Sequence, residues 1–495
     1  MKKDRINRGF LWNTSLYLIS TVFSVAVNLL VLPVYTRYLS PSDYGIVILF
    51  VMFGTLSAGV LSTNLHFASY IYYFQFKKDL KRFKIIYSTN ALFILAIFLI
   101  SGIFVNHFSG WVSSFLFKGK LTAGLILLSF ISGCLEYLML YMTTLLTAQV
   151  KSIQYAVIIA LRLIINTAFS FYFIFFQSLT YLALIYSVIL SQVIIIMVLF
   201  ITIRDLFGLR FSVSDLKMSL RLAFPLVPNS MIGLVYSSFD KTMLNKLKNT
   251  DSVGYYSFGE KFSIILKSVQ DAVSKSWEPY FMNKAHENSV YAREAIISRF
   301  YEIAFLFMIV GLIIIYYSEE MIKLLTTKAF YPSMYVVPLY VYFYLFAVIG
   351  TLSMNQISFS KKMAYLLPTS ICAVIINMTL NIILIPRYGA VGAAGAIAIS
   401  ALSSNLLNLY FGMKLYPLPL GKWKLAKMYL ILIAFTLPVY PIMLVDIAVI
   451  VKIAFKLIFI LSFVFVGIKL RYISKSSIQH IFGKIKGTAM NLAGS

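Results

Sequence analysis

The chain is a succession of apolar runs, most about twenty residues or longer, separated by short segments of charge, proline or glycine. A helix needs about 20 apolar residues to cross the ~30 Å hydrocarbon core of a bilayer. Read between their breaks, the runs give fourteen expected spans, at about 10–32, 44–68, 85–105, 121–147, 155–176, 179–203, 222–244, 254–280, 300–317, 333–358, 364–385, 389–413, 428–445 and 449–469. Only 12% of residues are charged, against about 25% in soluble domains. The chain therefore reads as an all-α polytopic membrane protein with no large soluble domain. The opening apolar run continues to Leu32 without a small-residue cleavage site, so it reads as an uncleaved first span.

The net charge of +26 would suggest nucleic acid in a soluble protein. Here positive loops and anionic headgroups account for most of it. With the N-terminus cytoplasmic, 28 of the 43 basic residues fall in cytoplasmic segments. That bias predicts an even span count and both termini inside. Cys134 and Cys372 each lie in an apolar run and read as packing residues, not a disulfide. Outside loops are short and there are four histidines, which leaves little room for catalysis, so the chain is not expected to be an enzyme.

Two segments echo each other. "RYLSPSDYG" (Arg37–Gly45) and "KLKNTDSVG" (Lys246–Gly254) each run from a cation to a glycine eight residues on, 209 residues apart, with Asp43 and Ser252 fitting as helix N-caps. A six-span unit repeated in one orientation is expected to form two lobes facing a central cavity. The predicted organisation is an N-terminal six-helix lobe over 1–205, a second over 206–415, two further helices over 416–470 and a basic cytoplasmic tail over 471–495.

Polar faces mark the expected cavity. In the eighth span Glu260, Ser263, Lys267, Gln270, Asp271, Ser274 and Glu278 fall within about 100° of arc. Such a face must line water or pair within the bundle. An i,i+4 Lys267–Asp271 pair is the purely structural alternative. Span 7 adds Asp240 beside Lys241, and span 1 adds Asn13 and Asn28. Small-residue helix packing explains the stripes of spans 1 and 2 about as well as a cavity does, and His66 in span 2 is expected to be satisfied locally. Arg162 either snorkels or enters the cavity, whereas Lys452 and Lys456 read as snorkelling anchors.

At "LPVYTRYLSPSDYGIVILF" (Leu32–Phe50), "FDKTMLNKLKNTDSVGYYSFGEKF" (Phe239–Phe262) and "NIILIPRYGAVGAAGAIAIS" (Asn381–Ser400), the chain resembles the Wzx-type polysaccharide flippases of the multidrug/oligosaccharidyl-lipid/polysaccharide exporter superfamily. The resemblance implies two six-helix lobes, alternating access and export of undecaprenyl-diphosphate-linked oligosaccharides across a bacterial cytoplasmic membrane. It also implies cavity cations, matched by motif at Lys241 and Lys261; Arg37 stands in the first motif. Lys267 and Arg162 are placed by the residue reading alone.

These cations would hold a diphosphate. Asp240, Glu260 and Asp271 would balance the charge or take a coupling cation or proton. No cofactor is expected beyond a Na+ or H+ gradient or the membrane potential, and no phosphate-cradling glycine motif is present. Expected partners are the lipid-linked oligosaccharide, membrane lipids, a polysaccharide polymerase and chain-length machinery. A lipid II-type flippase, a cation-coupled drug antiporter and a membrane polymerase are the alternatives.

Overall fold

The computed structural model describes residues 23–208, 210–287, 289–444 and 448–472, and every regular element among them is a helix. Helix α1 covers residues 23–38. There follow α2 (Pro41–Leu61), α3 (Leu65–Gln75), α4 (Leu80–Phe117), α5 (Ala123–Ala148), α6 (Ser152–Gln177), α7 (Tyr181–Ile203), α8 (Val213–Ala223), α9 (Val227–Leu247) and α10 (Thr250–Glu287). The chain continues through α11 (Val290–Leu325), α12 (Val336–Phe359), α13 (Leu366–Leu415), α14 (Lys422–Thr436), α15 (Val439–Leu444) and α16 (Val449–Lys469).

Among the described residues ten helices are long and apolar enough to cross a membrane, or eleven when the bent pair Val213–Leu226 and Ser230–Leu247 counts as one span. The shortfall from fourteen has physical causes. Helix α13 carries two expected spans joined at Gly389, whose φ of 56° kinks the helix. Helix α10 carries too many charges to qualify by composition. The first expected span lies largely outside the described residues.

The echoed segments are helix starts, and their caps lie three residues before the expected ones. Ser40 caps α2: its hydroxyl accepts the Asp43 N–H, while the Asp43 carboxylate accepts the Ser40 N–H at 3.0 Å. Asn249 plays the same part for α10, accepting the Ser252 N–H at 2.9 Å. The pairs Ser40/Asn249 and Asp43/Ser252 keep the 209-residue offset.

The helices group into two compact units. The first comprises residues up to Phe258 with Leu324–Ser333 and Val374–Ala396. In it α2 packs on α5 and α9. Gly54 and Gly133 bring the α2 and α5 backbones so close that a β-carbon at either would overlap the other helix. The second expected span is broken: Thr63 and Asn64 take φ of 50° and 57° between α2 and α3. Backbone groups freed inside a membrane must find protein partners. Tyr137 provides them, its hydroxyl accepting the His66 N–H (3.3 Å) and facing the Ser62 carbonyl (3.4 Å). The His66 ring also meets this hydroxyl at 3.0 Å, so His66 is satisfied locally. Beyond α7 the connecting segment is pinned to α4 by the Gly208 N–H on Ser88 (2.7 Å) and the Ser212 N–H on Thr89 (3.1 Å). Arg82 closes an ion pair with buried Asp215 on α8.

The second unit comprises Gly259–Lys323, Met334–Ala373 and the residues from Ile397 onward. Here the expectation for Lys452 and Lys456 is corrected. Instead of snorkelling, both turn inward from α16 onto α11. Lys456 is fully buried and meets Glu320 Oε2 at 2.7 Å, and Lys452 meets Glu319 at 3.2 Å. Lys323 also pairs with Glu319, at 2.6 Å. A buried ammonium needs such partners, and Glu319 and Glu320 can meet it only because α11 runs on past the end of its expected span.

Candidate functional site

In the first unit, a buried polar cluster surrounds Asp240. Asp240 is 1% exposed. The Tyr256 hydroxyl donates to its carboxylate at 2.6 Å, and the Asn381 amide donates to the other oxygen. Asn381 also donates to Asn377 at 3.0 Å. Helices α9, α10 and α13 thus each supply one wall. Asn245 accepts from Thr250 nearby at 3.0 Å. Asn245 Nδ2, Asn377 Nδ2 and Asn381 Oδ1 are buried without a hydrogen-bond partner among the described residues. The carboxylate was legible in the sequence as part of the Asp240–Lys241 pair, but its amide partners were missed. Their signal was two asparagines one helical turn apart inside an otherwise apolar run.

The part of α10 in the second unit carries the polar stripe, and the structure narrows it. Lys267, Asp271 and Glu278 are exposed. No ion pair joins Lys267 to Asp271 among the described residues, so the structural alternative of an i,i+4 pair is not formed. Ser263 departs from the expected water-lining face: it is fully buried, donating to the Gly259 carbonyl (3.0 Å) and facing the Val337 carbonyl of α12 (3.4 Å). Its position at the stripe's edge turns it toward the neighbouring helix. Glu260 accepts from Tyr340 at 3.0 Å. Gln270 and Ser274 are half-buried and border a small void with Trp277 and Phe307. Lys241 and Lys261 are half-buried.

Arg162 is engaged within the first unit. Its guanidinium forms a two-point pair with Glu136, one arm at 3.0 Å. Gln192 donates to the same carboxylate at 2.9 Å and accepts from Ser132 at 3.0 Å. Helices α5, α6 and α7 are thus cross-linked around one bidentate pair. Arg37, at the end of α1, is exposed and has no ion-pair partner among the described residues. Asn28 is exposed and donates to its own helix at Ser24 (2.8 Å). Asn13 lies outside the described residues.

The echoed glycines meet at the ends of α2 and α10. A β-carbon on Gly45 would overlap the Thr250 carbonyl, and one on Gly254 would overlap the Pro41 carbonyl. The contact is reciprocal, because Pro41 and Thr250 are themselves 209 residues apart. Beside it Tyr44, Phe258 and Phe330 form an aromatic plug, with Phe258 centred 4.5 Å from each of the other two rings.

Residues 34–335 match the model of a family described as polysaccharide biosynthesis protein. No curated protein sequence matches the chain. Among solved structures, the lipid II flippase MurJ in an inward closed conformation superposes with a TM-score of 0.72 at 17% identity, covering 91% of this chain and 98% of that one. An inward-facing multidrug resistance MATE family transporter of the MOP superfamily gives 0.63 at 14% identity, covering 79% and 94%. A MOP superfamily transporter from Pyrococcus furiosus gives 0.54 at 13% identity, covering 81% and 95%. The match over more than half its length places the chain in the polysaccharide biosynthesis protein family, and its fold is that of the multidrug/oligosaccharidyl-lipid/polysaccharide exporters.

Proposed function

We propose that the protein is a flippase that moves undecaprenyl-diphosphate-linked oligosaccharide units from the cytoplasmic to the outer leaflet of a bacterial cytoplasmic membrane, with both termini cytoplasmic. The observation that carries this reading is Lys267. It stands exposed near the middle of α10, on the polar stripe and without an ion partner among the described residues. An ammonium at that depth is tolerable where water or an anionic ligand meets it. A diphosphate supplies such an anion, and a water-filled path removes the large cost of taking sugar hydroxyls through hydrocarbon. Lys241, Lys261 and Arg37 are the further cations that this reading assigns to the diphosphate. Family membership in polysaccharide biosynthesis supports a glycan cargo, which a polymerase and chain-length machinery would receive outside.

Asp240 is the proposed coupling group. Buried among amides with unfilled hydrogen-bonding capacity, it can hold a proton or a small cation taken from an ion gradient. Asp271, exposed one turn from Lys267, would balance charge when the path is empty.

The fold likeness to MurJ favours a second reading, lipid II transport. Lys267→Ala tests both. Loss of surface glycan at a normal membrane level, with partial activity in Lys267→Arg, is the expected result. Normal export from Lys267→Ala would overturn the assignment, and rescue of cells depleted of their lipid II flippase would favour the second reading.

A further inference from the structure

We propose that a groove in the second unit binds one acyl chain of an anionic phospholipid, with the lipid phosphate held at Lys422. The groove is a cavity of about 640 Å³ between α12, the latter part of α13 and α14. Its walls are apolar, with Leu402, Leu406 and Met413 on α13 facing Leu425, Tyr429 and Ile433 on α14. Lys422 is the one charged lining residue among those described.

Two dimensions identify the occupant. The walls run from Leu402 to Met413 and from Lys422 to Ile433, and each stretch rises about 17 Å along its helix. That is close to half of a ~30 Å hydrocarbon core, so the groove is one leaflet deep. Lys422 opens α14, and beside it Trp423 is 88% exposed, as an aromatic anchor at the headgroup level would be. The cation therefore stands at headgroup height and the groove descends from it toward the bilayer centre. A phospholipid matches this layout, with its acyl chain in the groove and its phosphate at the ammonium. A polyprenyl tail longer than one leaflet would overrun the groove at Ile433.

No carboxylate lies within ion-pair distance of Lys422 among the described residues, so no internal anion competes. Its neighbour Lys424 is turned away, lying 4.6 Å over the Tyr301 ring and 5.5 Å over Tyr472. In the topology proposed above, this end faces the cytoplasmic leaflet, whose negative surface potential favours basic side chains. The groove is distinct from Lys267, and the inference stands apart from the cargo assignment.

The test uses the purified full chain, delipidated and then offered dioleoyl phosphatidylglycerol or dioleoyl phosphatidylcholine, with bound lipid counted by native mass spectrometry. The wild type should retain the anionic lipid over the zwitterionic one by about fivefold, the contribution expected of one surface lysine. Lys422→Glu should lose that preference. Ala426→Trp, which fills the groove, should lose retention of both lipids. Equal retention of the two lipids by the wild type, or unchanged retention in both variants, would overturn the proposal. So would stronger retention of undecaprenyl phosphate than of phosphatidylglycerol, which would make the groove a track for a polyprenyl tail.

Discussion

Gly45 lies against the main-chain carbonyl of Thr250 so closely that a β-carbon would have no room, and Gly254 repeats the relationship with Pro41. A main-chain carbonyl inside a helix cannot move aside as a side chain can. The two glycines therefore set how tightly the α2 and α10 ends close. Overpacking of this kind costs about 1–3 kcal/mol, enough to shift a two-state equilibrium by roughly five- to 150-fold. Gly45→Val and Gly254→Val should each cut surface glycan strongly at normal membrane protein level, whereas Gly233→Val, beside open space, should be mild. Similar losses at all three positions would remove the special role of the contact.

Accessibility along α10 separates the two kinds of polar position. Cysteine at Asp271, which is exposed, should react quickly with a water-soluble maleimide in intact membranes. Cysteine at Ser263, held between the Gly259 and Val337 carbonyls, should react slowly. Comparable labelling at both would contradict the orientation of the helix.

Asp240 is expected to matter through its charge rather than its shape. Asp240→Asn preserves volume and one oxygen for the Tyr256 hydroxyl. It should still lower export by about tenfold, the size of a typical coupling free energy, and blunt the response to collapsing the proton or sodium gradient. Tyr256→Phe, which removes one donor, should be milder. Full, gradient-sensitive export by Asp240→Asn would place the coupling group elsewhere.

Arg162 and Glu136 should behave as a pair. Either single change to methionine leaves a charge at membrane depth, and protein level should fall about threefold, as a loss of 1–2 kcal/mol does in cells. The double methionine variant should recover level and export, because an apolar pair of similar volume is tolerated where an ion pair was. Recovered level without export would return Arg162 to the cargo path.

Membrane class, most of the helices and the repeated helix start could be read from the residues alone, because each rests on local information. Hydrocarbon thickness fixes the length of an apolar run, and a capping side chain acts within three residues of its own helix. Both signals can be read without knowing what lies across the bundle. Even so, a local error of three residues displaced the expected caps from Ser40 and Asn249 to Asp43 and Ser252. Lys267 could be singled out on the same footing, since a lysine on the polar stripe of a long helix is visible in one dimension, but whether Asp271 paired with it was not.

Which residues pair depended on how the helices pack. Arg162, Lys452 and Lys456 looked alike in sequence, as cations inside spans. The fold gave Arg162 to Glu136 and turned the two lysines onto Glu319 and Glu320, from helices over a hundred residues distant in the case of α16 and α11. The amides around Asp240 arrive in the same way, with Asn381 coming from 141 residues away. Charge and hydrogen-bonding capacity are properties of a residue, but which of them is spent on a neighbour depends on distances that only packed helices define. For that reason the polar positions were legible in the sequence, while the division between structural pairs and groups left open to a ligand was not.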